Sequence, residues 1–168
     1  MTLSRLRPLD VRFLFDDRPY RLGETLDIVV ELSARGEIEV REARLDLVCE
    51  ENYIESYNVM VPDIKTGRAM GGLYGGSSIA AGYTPTPMIP KLVNKEHRET
   101  YVHSSVVFLT DSMLSSGATD QYDIRLGIEP EPPSHVSIAT VKWRLEVVVD
   151  VARARDVKAW HKVKVVLS

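Results

Sequence analysis

Thr140–Val151 reads TVKWRLEVVVDV. Val141, Trp143, Leu145, Val147, Val149 and Val151 fall on one face; Lys142, Arg144, Glu146 and Asp150 fall on the other, with Val148 the one apolar breach. A period of two sustained over about a dozen residues is the pattern of a half-buried β-strand. The apolar face carries no nucleophile, base or metal ligand. This stretch therefore decides the fold class and points to no chemistry.

The same pattern recurs along the chain. Val11, Phe13 and Phe15 share a face, and after a break at Asp16–Pro19 so do Leu26, Ile28, Val30 and Leu32. Ala34-Arg35-Gly36 reads as a turn. Ile38 and Val40 then share a face, followed by Ala43, Leu45, Leu47 and Cys49, so the phase slips by one at Arg41–Glu42. A one-residue slip would turn every later side chain to the other face, and a β-bulge at that point repairs it. Val106–Leu109 is apolar throughout and reads as a strand covered on both sides. Tyr122, Ile124, Leu126 and Ile128 alternate with polar residues until Pro130, Pro132 and Pro133 stop the ladder. Val163, Val165 and Leu167 face away from Lys158, Trp160, Lys162 and Lys164. Lys91–Tyr101 is the best candidate for a turn or two of helix and could equally extend the following strand. The expectation is an all-β, antiparallel, immunoglobulin-like sandwich of about seven to nine strands.

The chain has 168 residues, a formal net charge of −3 and one cysteine, Cys49. This length suits one domain, residues 1–168, large enough to fold without disulfides or metals. The mild acidity argues against general nucleic-acid binding. Neither a signal peptide nor a run long enough to span a membrane is legible. With a lone cysteine, these features lead to the expectation of a reducing, cytoplasmic setting.

Residues 62–90 depart from the strand pattern. This stretch holds Gly67, Gly71, Gly72, Gly75, Gly76 and Gly82 with Pro85, Pro87 and Pro90, and reads as one long Gly/Pro-rich loop. It lacks the lysine and following helix of a phosphate-binding loop. Its plain reading is a flexible connection. Its functional reading is a partner-binding or membrane-touching loop, in which Met70, Leu73, Tyr74 and Tyr83 supply adaptable apolar contacts.

The order of these strands resembles that of arrestin-like domains. Tyr20-Arg21-Leu22-Gly23-Glu24-Thr25-Leu26 is similar to the "Y-x-x-G-[DE]-x-[LV]" opening of an early strand in that family. Leu45-Asp46-Leu47-Val48-Cys49-Glu50-Glu51 is similar to its "L-x-L-x-G/C-x-E" run. Pro132-Pro133-Ser134, followed by Val141-Lys142-Trp143-Arg144-Leu145-Glu146-Val147, resembles its proline-containing connection and aromatic-led strand. These short motifs cover both ends of the chain and leave the glycine-rich middle unmatched. The resemblance implies a single arrestin-type sandwich acting as a non-catalytic adaptor or scaffold for protein partners. Arrestins, and arrestin-like sporulation and retromer proteins, carry two such sandwiches, and this length holds one. A homodimer is therefore expected, and no phosphate-sensing polar core is carried over.

The remaining candidates each have a plain reading. His97, His103, His135 and His161 form no HExxH pattern and no cysteine pair accompanies them, so no metal site is expected. Cys49 falls on an apolar face and reads as a core residue rather than a catalytic thiol. Asp16–Asp17 and Glu50–Glu51 are neighbours that point to opposite faces of a strand, and read as solvated turn or edge charge. Lys158, Trp160, Lys162 and Lys164 make a basic stripe with one aromatic. It protects a sheet edge, or it meets an acidic peptide, a phosphate or an anionic head group. No catalytic residue and no cofactor is expected. Peripheral membrane contact through the loop and the stripe is the alternative to protein binding, and an enzyme with a loop-built site is the second alternative.

Overall fold

The computed structural model describes residues 7–63, 86–133 and 139–167. Among them every regular element is a strand: β1 (Leu9–Phe15), β2 (Pro19–Arg21), β3 (Thr25–Ala34), β4 (Ile38–Pro62), β5 (Met88–Leu114), β6 (Thr119–Gly127), β7 (Thr140–Val151) and β8 (Val157–Val166). They form a three-stranded sheet, β1-β3-β6, and a five-stranded sheet, β2-β8-β7-β4-β5. Pairing is antiparallel in β1–β3, β3–β6, β4–β7 and β7–β8, and parallel where β2 joins β8.

The apolar faces foreseen in the sequence line the space between the sheets. Leu26, Ile28, Val30 and Leu32 of β3 and Ile124 and Leu126 of β6 are buried with Leu45 and Leu47 of β4 and Leu145, Val147 and Val149 of β7. Removing each such side chain from water contributes roughly 1.5–3 kcal/mol. The phase slip has the expected cause: the β4–β7 register shifts between Val40 and Glu42, which returns Ala43, Leu45, Leu47 and Cys49 to the core side.

The opening of β3 shows why Tyr20, Gly23 and Glu24 belong together. Tyr20 is buried, and its hydroxyl donates to the Asp16 carbonyl at 2.7 Å. Gly23 has φ +84, a left-handed conformation that side chains disfavour. The Glu24 carboxylate accepts from the Arg21 amide and from Arg18, closing the turn. The carbonyl of Glu24 then accepts from the Ile128 amide and starts the β3–β6 ladder.

Several expectations are corrected. Lys91–Tyr101 lies inside β5, so the strand reading holds there and the helical one does not. β4 runs to Pro62 and β5 begins at Met88, so both ends of the expected 62–90 loop are strand. Val107 is half exposed while Val106, Phe108 and Leu109 pack against the core, so the apolar run Val106–Leu109 is not fully covered on both sides. Glu50 and Glu51 are both buried rather than solvated, because β4 is an inner strand between β7 and β5. β2 was not legible: three residues are too few to show a period.

The chain divides into two compact units. Residues up to Tyr53 and from Arg98 onward form the first, and the buried hydrophobic cluster among the described residues lies in it. Ile54–His97 is the second. Its described residues are the outer parts of β4 and β5, joined by Ser56 to Asn94 at 2.7 Å, His97 to Glu55 at 2.8 Å and the Asp63 amide to the Pro87 carbonyl at 2.7 Å. Ile54, Met60, Met88 and Leu92 of this unit are exposed.

Candidate functional site

The outer face of the five-stranded sheet carries a groove of about 590 Å³, within the first unit. Strand register builds it row by row. Asp46 of β4, Glu146 of β7 and Trp160 of β8 stand in one row, and Val48, Arg144 and Lys162 in the next. Glu50 and Lys142 face each other one row further along, and Val148 and Lys158 lie on the other side. Arg98 of β5 completes the lining beside Glu50. On β7 and β8 the sequence places these residues on one face for one reason: each occupies the outward phase of a period-two strand whose other phase faces the core.

Five cationic side chains, Arg98, Lys142, Arg144, Lys158 and Lys162, line the groove against two carboxylates, Glu50 and Glu146. Glu50 accepts from Arg98 at 2.7 Å and from Asn52 at 3.1 Å, and Arg144 stands 3.7 Å away. The hydrogen bond from Arg98, then that from Asn52, holds its carboxyl below the usual carboxylate range. Arg144 also bonds Glu146 at 3.1 Å. Beyond the groove, buried Asp46 is held by Arg44 and Ser105. The bond to Asp46 pushes the Arg44 guanidinium up. A buried carboxylate is tolerated only with such partners.

Trp160 is 59% exposed. Flanked by Lys158 and Lys162 and facing Glu146, it offers a wide apolar surface amid positive charge. Large exposed aromatics in such settings anchor protein contacts. Chemically, the groove can accept anionic groups on its cations while an apolar side chain rests on the indole.

The structure thus brings Lys158, Trp160 and Lys162 together at one groove. Lys164, on the same face of β8, does not line the groove and pairs with Pro19 of β2. Met70, Leu73, Tyr74 and Tyr83 fall outside the described residues. Arg98, Lys142 and Arg144 escaped the sequence reading as site residues. Lys142 and Arg144 were visible as the polar phase of Thr140–Val151, but only strand order sets that phase beside β8.

The other candidates have structural surroundings. Cys49 is buried, and burial pushes its thiol up, away from a thiolate. Tyr101, close by, donates to Glu51 at 3.3 Å, and its hydroxyl is likewise pushed up, first by burial and then by its bond to Cys49. His103 packs edge-on against Trp143 with centroids 4.9 Å apart. His161 lies against Phe15 at 5.2 Å and Phe13 at 6.3 Å. Among the described residues no group of three or more His, Cys, Asp or Glu is arranged to hold a metal ion. No helix among them is long and apolar enough to cross a membrane.

No family model matches the chain, and no curated protein matches it in sequence. Among solved structures it is similar to Spo0M, the sporulation control protein of Bacillus subtilis, with a TM-score of 0.61 and 12% sequence identity. The match covers 95% of this chain and 50% of that one, so the chain spans half the length of that protein. Together with the two sheets, their inner faces and their strand order, this likeness establishes the architecture expected from Tyr20–Leu26 and Thr140–Val151: the chain has an arrestin-like β-sandwich fold.

Proposed function

We propose that this chain is a non-catalytic protein-interaction module, an adaptor or scaffold, that binds an acidic segment of a partner protein in the groove on β7 and β8. The observation that carries the reading is exposed Trp160 set among an excess of cations on one concave surface. Exposed lysines at a groove steer an anionic partner and set its register, while the aromatic supplies contact area. The inert surroundings of Cys49 favour a binding role over nucleophilic chemistry.

The test is fluorescence anisotropy with a labelled Asp/Glu-rich peptide of about ten residues. Binding is expected to weaken as salt rises and to be lost in the double variant Lys158→Glu/Lys162→Glu. A charge-neutral peptide of the same length should not bind. Phosphatidylserine vesicles form the second arm. Binding to vesicles but not to the peptide, with the same sensitivity to the double variant, would assign the groove to a membrane surface and overturn the reading. No binding to either at low salt would overturn it outright.

A further inference from the structure

We infer that the acidic segment docks as an added β-strand on the edge of β8 along Val157–Val163. This inference rests on the proposed protein-binding role and adds where the partner lies and how its backbone is held.

β8 is paired unequally on its two sides. On one side Val157–Val163 pairs with Val149–Trp143 of β7. On the other, β2 covers only Lys164–Val166, through Pro19–Arg21. Among the described residues no strand pairs with Val157–Val163 on the side away from β7. The position of His161 agrees with this. It lies on the inward phase of β8 with buried Val157 and Val163, and meets Phe13 and Phe15 of the opposite sheet, yet it is exposed. An inward-facing side chain is exposed at a sheet edge when no strand lies beyond it. An unpaired edge of this length presents a row of amide and carbonyl groups to an extended chain.

The side chains on the same stretch choose the occupant. A strand added beside β8 places alternate side chains about 5 Å from Lys158, Trp160 and Lys162, the spacing of cross-strand pairs. Its other side chains point inward, beside His161 and the Phe13 and Phe15 rings. The matching sequence alternates acidic with apolar residues. The same lysines disfavour a second copy of this chain, because β8 against β8 sets like charges together. The edge thus rejects itself and accepts a segment of opposite charge.

The test uses a labelled peptide alternating Glu with Val, about eight residues long, in three forms. One is unmodified. The second carries N-methyl groups on its odd-numbered amides and the third on its even-numbered amides. In an edge pairing only alternate amides of the added strand face its neighbour. One methylated form is therefore expected to bind about tenfold or more weaker than the unmodified peptide, and the other to bind within about threefold of it. Hydrogen exchange of amides within Val157–Val163 should slow on binding. Equal binding by both methylated forms, whether retained or lost, would overturn the added strand. If they are retained equally and Lys158→Glu/Lys162→Glu still abolishes binding, side-chain docking in the groove stands alone. If the unmodified peptide fails to bind, the proposed function falls with the inference.

Discussion

Arg98 donates a 2.7 Å hydrogen bond to Glu50, and the two differ sharply in exposure: the Glu50 side chain is 9% exposed and that of Arg98 is 71% exposed. The acid is the committed partner, held on an inner strand, while the guanidinium reaches in from solvent. Arg98→Ala leaves Glu50 with Asn52 at 3.1 Å and Arg144 at 3.7 Å. Loss of the charged hydrogen bond is expected to destabilise the fold by about 1–3 kcal/mol, read from urea unfolding midpoints at constant slope.

The same pair sets a pH dependence. The Glu50 carboxyl is held below its ordinary value of 4.5, first by the bond from Arg98. A depressed value in the folded state means that its stabilisation is fully present above the unfolded value and is lost as pH falls through the folded one. Glu50→Gln should flatten this part of the acid limb, with a smaller difference between neutral and acid stability than the parent shows. Urea titrations at a series of pH values check it, and an unchanged difference would refute it.

The two tryptophans predict opposite phenotypes. Trp143 is buried against the core and His103, so Trp143→Ala is expected to cost about 3–5 kcal/mol. Trp160 is exposed, so Trp160→Ala should shift stability by no more than about 0.5 kcal/mol while weakening acidic-peptide binding about tenfold or more. Thermal melts and anisotropy on the same two variants separate the roles.

Groove position, rather than charge alone, should decide binding. Lys162 lines the groove and Lys164 does not. Lys162→Glu is expected to weaken the acidic peptide about tenfold and Lys164→Glu less than about threefold at moderate salt. Equal losses would mean that the peptide reads net charge only.

Gly23 tests the turn that opens β3. A Cβ there would lie 3.9 Å from Pro130, an ordinary contact, so space is not the constraint. The φ of +84 is. Gly23→Ala should therefore cost about 1–2 kcal/mol through backbone strain, seen as a lowered melting temperature with peptide binding unchanged.

Much of the sandwich was legible because a strand's two faces are written in alternate residues. Leu26–Leu32, Ile124–Leu126 and Leu145–Val149 appeared as core from period alone, and the slip at Arg41–Glu42 appeared as a bulge. The site was legible only in part. Lys158, Trp160 and Lys162 stood out as a stripe, but their neighbours Arg144 and Glu146 come from another strand and Glu50 and Arg98 from two more. The reading of Glu50 and Glu51 failed for a related reason: both sit on an interior strand, where Arg98 and Asn52 hold Glu50 and Tyr101 donates to Glu51, and strand order is invisible along one chain.

By itself, then, the sequence determined that this chain is a two-sheet β protein, which residues face its core and where the ladder shifts. Those properties are local, since neighbouring side chains on a strand must point to opposite faces. Only the tertiary structure decided that β7 and β8 lie side by side with Trp143 opposite Val163, which sets Arg144 beside Lys162 and Glu146 beside Trp160. Only the tertiary structure decided that β2 stops at three residues, leaving Val157–Val163 paired on one side alone among the described residues. Partner choice and register arise from long-range backbone pairing, and no period within a single strand records them.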